Sequence, residues 1–470
     1  MPRPGSGSAG LGIAAKRLEL LPSGVPHHQV FFPCMNEDSE SRVTYAREVH
    51  LPMDPPYGGV TWPHQDPFGR PTSDRVALVT DGEQRAALAV VRSLGKQGLR
   101  VVVCSSHRRS LAGGSRYCDS EILVADPLTE PEQFLADVRE LVHRERVDFL
   151  IPITEPALLT ILPAQGLLGR AEIPFPDLKT FRRVCDKAEI LSAAPSFGIA
   201  VPEQRLAVDR AEAVASLDSP PGLAFPLVLK PSRSVGERKG RRGKFGVRYA
   251  RDPAEFRRRV RDFDDAAFPL LLQQRIEGPG IGVFLLIWDG ELLAAFSHRR
   301  IREKPPSGGV SVYRESYPMD KGLLTRSLAL LNHLRWRGVA MVEYKLDAAT
   351  GTPYLMEING RFWGSLQLAI DAGVDFPALL VAACLSQPSE RLPSYRAGVR
   401  SRWWWGDVDQ LLLRLRGRQE ELALPPGFPG RGRALLDFFK LWRPGDRNEI
   451  LQLDDPQPFW RETREWFRTL

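Results

Sequence analysis

The chain has 470 residues, which is too long for one hydrophobic core and typical of two to four domains. Its net charge of +7 is modest for this length and, apart from one basic segment, spread along the chain, so a nucleic-acid partner is not favoured. The sequence shows no run of 18 apolar residues and no signal-peptide pattern, and its five cysteines are scattered without a CxxC pair. These features favour a cytoplasmic protein with reduced thiols and no membrane span.

Residues 1–73 are rich in Pro, Gly and Ser and show no sustained helix or strand period. This composition favours a poorly ordered extension that is dispensable for folding. Two alternatives stay open: the aromatic stretches PHHQVFFPC and VTWPHQDPFG dock on a later domain, or translation begins further in, at Met53.

From Arg75 onward, short apolar strands (RVALVT, LRVVVCSS, DFLIPIT) alternate with amphipathic helices (DGEQRAALAVVRSLGKQG, PEQFLADVRELVHRE). Such alternation predicts a parallel sheet with covered faces, and we assign an α/β domain to residues 74–175. The helix start at Asp81 and Gly82 could hold an anion. The GxGxxG fingerprint is absent, which disfavours a Rossmann-type oxidoreductase.

Two lysines and a glycine-rich segment follow. Lys187 lies in a predicted helix and, taken alone, reads as a solvated surface lysine, whereas Lys230 ends the apolar strand FPLVLKP and must find an anion or a carbonyl. The next segment, SRSVGERKGRRGKFGVRYA, interleaves basic residues such as Arg233 with glycines such as Gly236 and Gly243. Glycines let backbone N–H groups approach an anion, so the segment is typical of a mobile lid over phosphates. A solvated basic loop is the alternative, and a nucleic-acid loop lacks the expected aromatic platform.

The segment GIGVFLLIWDGELLAAFSHRRI predicts a hairpin that turns at Asp289-Gly290 and ends near Arg299, Arg300 and Arg302. KPPSGGVSVYRES reads as a Gly/Ser/Pro loop, and a helix from about Leu323 to Trp336 follows. SLQLAIDAGVDFPALLVAACL predicts a closing pair of apolar helices.

The stretch GVAMVEYKLDAATGTPYLMEINGRFWG predicts two strands, Met341–Leu346 and Tyr354–Asn359, joined by a turn. Each strand carries one carboxylate in an apolar run, Glu343 in the first and Glu357 in the second. Since side chains alternate along a strand, Glu357 and Asn359 share a face. Two carboxylates and one amide oxygen can then converge, and hard oxygen ligands of this kind suit Mg²⁺.

The alternative for this hairpin is that the acids are ordinary edge-strand charges, with Lys345, on the face of Glu343, as their partner. Arg361 follows closely and is well placed to meet a phosphate. If the carboxylates crowd together without Mg²⁺, Glu357→Gln should make the metal-free protein slightly more stable.

In order along the chain, Lys187, VLKP, the glycine-rich basic segment, QQRIEG, VEYK and MEINGR resemble the ATP-grasp superfamily, in the branch of carbamoyl-phosphate synthase large chains and ATP-dependent carboligases. The resemblance spans about Arg75 to Cys384. It implies α/β and α+β multidomain architecture: a parallel-sheet domain at 74–175, then a two-lobed ATP-grasp domain at 176–390. Residues 391–470, with three tryptophans from Trp403, remain as a C-terminal appendage packed on the body.

The resemblance also implies an ADP-forming ligase that joins a small carboxylate to an amine, or to a thiol, through an acyl phosphate. An ATP-binding regulatory or scaffold protein without turnover is the alternative. The partners implied are ATP and the two small-molecule substrates, with no nucleic acid, no membrane and scope for a homo-oligomer.

Residue by residue, the resemblance assigns three groups. Those implied to contact ATP are Lys187, Lys230, Arg233, Gly236, Gly243, Gln273, Gln274, Arg275, Ile276 and Met356. Those implied to hold Mg²⁺ or Mn²⁺ are Glu343, Glu357 and Asn359, and those implied to neutralise the transferred phosphoryl group are Arg361, Arg300 and Arg299. The sequence departs from the family's pattern at Gln274 and near Pro279, where acids are common, and at Gly360, where proline is frequent. The departures at Gln274 and near Pro279 fall in the segment implied to contact adenine and ribose.

Overall fold

A computed structural model describes residues 74–218, 224–238, 240–386, 392–418, 422, 424, 427–440 and 445–469. The extension expected at residues 1–73 lies outside the described residues, as does Lys239 of the glycine-rich segment. The described residues form a parallel four-stranded sheet, an antiparallel four-stranded sheet, a mixed seven-stranded sheet and a separate two-stranded hairpin.

The first sheet is parallel, as the alternation of strands and helices predicts. Its elements are β1 (Val76–Val79), α1 (Arg85–Lys96), β2 (Arg100–Ser105), β3 (Ser120–Leu123), α2 (Pro131–Arg144), β4 (Phe149–Ile151) and α3 (Glu155–Ile161). The strand order is β3-β2-β1-β4, and β1 and β4 are buried along their whole length. Because helices cover the faces of a parallel sheet, the sequences of its strands are continuous apolar runs.

The second sheet forms a unit that we call the first lobe, within residues 178–274. Its segment contains α4 (Leu178–Cys185), α5 (Lys187–Ala193), β5 (Gln204–Ala207), α6 (Arg210–Ala215), β6 (Leu227–Pro231), β7 (Val235–Arg238), β8 (Arg241–Lys244), β9 (Arg248–Ala250), α7 (Pro253–Asp262) and β10 (Leu270–Gln274). The order β5-β10-β6-β9 is antiparallel at every pair. A core that includes Leu229, Phe256 and Leu272 packs α7 against the sheet.

The glycine-rich basic segment is a hairpin rather than an irregular loop. β7 pairs antiparallel with β8, and Gly240 occupies the turn with a φ of 74°. The prediction missed these strands because glycine and charged residues are poor strand formers, and here cross-strand pairing outweighs their propensity.

The third sheet forms a unit that we call the second lobe and holds all seven remaining strands of the described residues. Its segment contains β11 (Gly280–Trp288), β12 (Glu291–Lys304), β13 (Val310–Ser316), α8 (Lys321–His333), β14 (Gly338–Leu346), β15 (Pro353–Asn359), α9 (Leu366–Ala372), α10 (Phe376–Cys384), β16 (Arg400–Arg402), α11 (Trp404–Arg416), α12 (Arg431–Phe439), β17 (Asp446–Asn448) and α13 (Gln457–Thr469). The order is β15-β14-β11-β12-β13-β16-β17. The predicted turn at Asp289 and Gly290 is present, and both residues have positive φ, as a tight hairpin turn requires.

Two predictions about this region differ from the structure. The Gly/Ser/Pro loop ends earlier than expected, because Val310–Ser316 is a strand that pairs with β12 and β16. The third sheet also continues beyond residue 391, since β16 pairs with β13 and β17 pairs parallel with β16. The C-terminal residues therefore complete the sheet of the second lobe, and the division into domains stays a prediction.

Among the described helices, none alone is long and apolar enough to cross a membrane. The apolar pair α9 and α10 reaches that length only when combined, with a bend of 89° between the two.

Candidate functional site

Two carboxylates face each other at the centre of the β14–β15 hairpin. The register pairs Glu343 directly with Glu357, so both side chains project from the same face of the sheet. Burial raises the pKa of Glu343, although the nearby charge of Arg300 opposes this, while Glu357 raises it further. For Glu357, burial also acts to raise the pKa, but the charges of Lys187 and Lys230 outweigh it and lower the pKa. Glu357 is therefore the more strongly ionised member of the pair.

The two predicted lysines reach this pair from the first lobe. Lys187 is the first residue of α5, and its Nζ lies 3.3 Å from Oε2 of Glu357 and 2.9 Å from Oγ of Ser234. Lys230 donates from Nζ to the backbone carbonyl of Met356 at 3.1 Å. Only 6% of Lys187 and 5% of Lys230 are exposed, so the reading of Lys187 as a solvated lysine is wrong. A helix pattern cannot reveal this, because the burial comes from β15 on the other lobe.

Burial lowers the pKa of Lys230 to about 8, even though the charge of Glu357 acts to raise it, and the charge of Lys187 lowers it further. Two ammonium groups held together near one carboxylate leave excess positive charge at the point where the lobes meet. Such a point attracts polyanions.

Asn359 and Arg361 extend the cluster beyond the end of β15. Nδ2 of Asn359 donates to Oε1 of Glu357 at 3.1 Å, and Oδ1 of Asn359 accepts from Nη2 of Arg361 at 3.3 Å. Arg361 also donates from Nη1 to the carbonyl of Phe362 at 3.1 Å. The amide oxygen thus faces Arg361 in this arrangement.

Of the three arginines on β12, the structure brings only Arg300 to the carboxylates. Nη2 of Arg300 donates to Oε2 of Glu343 at 2.5 Å. Arg299 lies on the opposite face of the sheet, where its Nε donates to Glu315 at 3.0 Å, and Arg302 donates to Asp407 at 2.6 Å. Alternation along the strand explains the separation of Arg299 from Arg300. Arg299, predicted to act beside Arg300, therefore does not meet the carboxylate pair.

The alternative partner for the acids, Lys345, is occupied elsewhere. Its Nζ donates to the carbonyl of Ile276 at 3.4 Å, in the segment that connects the two lobes. Arg300 and Lys187 are the cations that contact Glu343 and Glu357.

The connecting segment contains the other residues predicted to contact a nucleotide. Gln273 is buried and donates from Nε2 to Oε1 of Gln204 at 2.8 Å, whereas Gln274 is exposed. The guanidinium of Arg275 lies 5.1 Å from the centre of the Tyr249 ring. The side chain of Gln273 is thus engaged within the protein. A ligand at this segment would contact backbone groups.

Packing also favours glycine at the two hairpin positions that were predicted to contact ATP. Gly236 and Gly243 pair across β7 and β8. A Cβ at Gly236 would lie 2.1 Å from the carbonyl oxygen of Ala266, and one at Gly243 would lie 2.9 Å from the Phe245 ring. Arg233, which precedes the hairpin, pairs with Asp186 at 2.9 Å. The structure brings Arg233 near α5 and not to the carboxylate pair itself.

Glu155 was missed by the sequence analysis. It begins α3, directly after β4, and accepts a hydrogen bond from the backbone N–H of Val235. Burial raises the pKa of Glu155, although the charges of Arg361 and Lys187 act to lower it. An acid just past the carboxyl end of a parallel strand is the signal that could have found it, because ligands bind at that edge.

The donor set fits a hard divalent cation in part. Two carboxylates on adjacent strands offer oxygen ligands, and Asn359 can offer a third. No group of three or more His, Cys, Asp or Glu side chains capable of holding a metal occurs in the described part of the chain. A metal here would therefore depend on amide oxygen, water or a ligand's own oxygens.

Residues 267–406 match a family described as "ATP-grasp in the biosynthetic pathway with Ter operon". A search of curated proteins found no match. The fold is similar to the L-amino acid ligase from Bacillus licheniformis (TM-score 0.52, 18% identity, covering 67% of this chain and 75% of that one). It is also similar to biotin carboxylase from Campylobacter jejuni, described as a "beta-gamma-ATP complex" (TM-score 0.54, 13% identity, covering 69% of this chain and 74% of that one). A third similar structure is the biotin carboxylase domain of 2-oxoglutarate carboxylase from Hydrogenobacter thermophilus, a dimer with MgADP (0.53, 15%, 69% and 73%).

Proposed function

We propose that this chain is an ATP-grasp enzyme, an ADP-forming ligase that joins a carboxylate to an amine through an acyl phosphate. A thiol acceptor is the closest variant of this reaction. The observation that carries the proposal is the convergence of both lobes on one point. Lys187 and Lys230 from the first lobe meet Glu357 and the carbonyl of Met356 on the second.

The charges at this point suit ATP. The ammonium groups of Lys187 and Lys230 bind phosphate oxygens, and the backbone of residues 273–276 faces the adenine. The β7–β8 hairpin covers the phosphates, with its glycines allowing close approach of the backbone. Glu343, Glu357 and Asn359 would hold Mg²⁺ or Mn²⁺, which supplies charge neutralisation of the phosphates.

Arg300 and Arg361 flank the carboxylates from two sides and are the groups proposed to neutralise the transferred phosphoryl group. Arg299 is left out of this proposal, because its contact with Glu315 lies on the other face of the sheet. In the first step a carboxylate oxygen of the substrate attacks the γ-phosphorus, and the bond to ADP breaks. In the second step the amine nitrogen attacks the acyl carbon, phosphate leaves, and the amine loses a proton. Positioning and charge account for most of such catalysis.

The test is an ADP-release screen of the full chain over acids and amines, with hydroxylamine as a general amine. Acid-dependent ADP release together with hydroxamate formation supports the acyl phosphate. ATP binding without ADP release across the whole panel would favour the regulatory or scaffold alternative. The molar mass of the full chain in solution, measured by light scattering, tests the proposed homo-oligomer.

A further inference from the structure

The β7–β8 hairpin contacts two different parts of the chain, one on each of its faces. Side chains alternate along a strand, so Arg241 and Arg242 project from opposite faces of β8. The face of Arg241 also carries Arg238, which pairs with Asp265 of the hairpin's own lobe. The face of Arg242 turns toward α3, the helix that follows the last strand of the parallel sheet.

Arg242 makes the first of two hydrogen bonds between the hairpin and α3. Its Nη1 donates to Oγ1 of Thr160 at 2.6 Å, and this Oγ1 donates its own proton to the carbonyl of Pro156 at 3.0 Å. The Thr160 hydroxyl is therefore oriented to accept from the guanidinium. Nε of Arg242 donates to Glu237 across the hairpin at 3.1 Å, and only 14% of the Arg242 side chain is exposed. Arg242 is thus committed to α3 and not to a phosphate.

The second hydrogen bond comes from the backbone of the hairpin. The N–H of Val235, the first residue of β7, donates to the carboxylate of Glu155, the first residue of α3. The helix is itself fixed to the sheet, because Thr154 donates to Asp81 through its backbone N–H at 3.1 Å and through its hydroxyl at 2.8 Å. Both strands of the hairpin are therefore tied to a helix that is anchored in the parallel sheet.

We propose that α3 is a latch that keeps the β7–β8 hairpin closed. Opening of the hairpin breaks the hydrogen bonds of Arg242 and Val235 to α3, and closing restores them. Arg242 is a positioning residue in this mechanism, because it acts on a nucleotide only through the hairpin. The parallel-sheet region thereby controls how long the nucleotide is retained. That the closed hairpin retains ATP rests on the proposed function, whereas its attachment to α3 does not.

The amide of Val235 reports the latch directly, because its hydrogen bond goes to Glu155. Hydrogen–deuterium exchange of the full chain without nucleotide should be about tenfold faster at this amide in Arg242→Met than in the wild type. Methionine keeps the apolar stem of the side chain and removes the donors. The control is Arg241→Met, which removes the same charge from the exposed, opposite face of β8 and should exchange like the wild type.

Thr160→Val tests the same contact from the side of α3. It keeps the shape of the side chain and removes the acceptor, so it should accelerate exchange at Val235 about as much as Arg242→Met. The double variant should exchange no faster than the faster single variant, because both substitutions break one hydrogen bond. Thr160→Ser, which keeps the hydroxyl, should exchange like the wild type.

Nucleotide retention is measured with mant-ADP, a fluorescent derivative of ADP, bound with Mg²⁺ and displaced by excess ADP. Arg242→Met and Thr160→Val should release it about tenfold faster, while the association rate changes by less than about twofold. General attraction between the basic hairpin and phosphates predicts a different result, namely slower association that Arg241→Met shares with Arg242→Met.

Wild-type exchange at Val235 in both Arg242→Met and Thr160→Val would overturn the latch, as would equal acceleration by Arg241→Met. Additive effects in the double variant would overturn the pairing of Arg242 with Thr160. Faster exchange with unchanged release of mant-ADP would overturn the control of nucleotide retention. Faster exchange in a protein that binds no mant-ADP, or that releases no ADP with any acid and amine, would support the latch and reject the ligase.

Discussion

The structure reverses the expected effect of Glu357→Gln on the metal-free protein. The sequence suggested two crowded carboxylates, so that removing one charge would stabilise slightly. Instead, Oε2 of Glu357 lies 3.3 Å from Nζ of the buried Lys187, and Lys230 adds further positive charge. The variant leaves both buried ammonium groups without their anion.

The size of the expected loss of stability follows from the burial of Lys187 and Lys230. Breaking a charged hydrogen bond of a largely buried group costs about 2–3 kcal/mol. The Glu357 side chain is 30% exposed, so solvent screens part of the loss and we expect about 2 kcal/mol.

The effect should also depend on pH. The folded-state pKa of Glu357 is lowered, so its contribution to stability is present above the unfolded pKa of about 4.3 and is lost as pH falls through the folded pKa. The difference in the free energy of unfolding between wild type and variant should therefore be largest at pH 7 and should shrink below about pH 4.

Scanning calorimetry without metal or nucleotide, at pH 7 and at acid pH, measures this gap. Glu291→Gln, at an exposed position of the same sheet, is the matched control. A Glu357→Gln variant as stable as the wild type at pH 7 would refute the reasoning. With Mg-ATP, turnover of the variant should also fall by roughly 10²-fold, as on loss of a charge-stabilising group.

Three further predictions concern other parts of the molecule. ATP affinity should fall as pH rises through about 8, where Lys230 loses its proton, and titrations at pH 7 and 9 should show this dependence largely absent in Lys230→Met. Limited proteolysis should cut the β7–β8 hairpin without nucleotide and be suppressed by Mg-ATP; equal cutting in both states would remove the lid assignment. Asp455→Ala should lower the free energy of unfolding by about 3–5 kcal/mol, because Asp455 and Arg92 form a buried pair at 2.8 Å. The neighbouring Asp454→Ala, at a half-exposed position, should cost under about 1 kcal/mol, and equal losses in chemical denaturation would contradict this account.

Local pattern was enough to predict the β14–β15 hairpin and its facing carboxylates. The turn and the alternation of side chains determine the register, and both can be read from neighbouring residues. The alternation of strands and helices before residue 175 was similarly sufficient for the parallel sheet.

Features that depend on distant partners could not be predicted in this way. The three residues of β16 form a strand only because β13 and β17 lie on either side. Lys187 is buried because β15 packs against α5, and nothing in its own helix indicates this. Arg299 and Arg300 were grouped because the strand was expected to end near them; β12 in fact continues to Lys304, which separates their faces.

The position of Glu449 has a consequence for how the chain folds. Glu449 pairs with Arg85 of α1 at 2.6 Å and with the fully buried Arg314 of β13 at 2.5 Å. Arg85 precedes Glu449 by 364 residues, so on a ribosome both arginines emerge well before the carboxylate that neutralises them. Burying Arg314 without that carboxylate is strongly unfavourable. The first domain and the large sheet should therefore reach their final packing late, in one cooperative step that waits for the segment after β17.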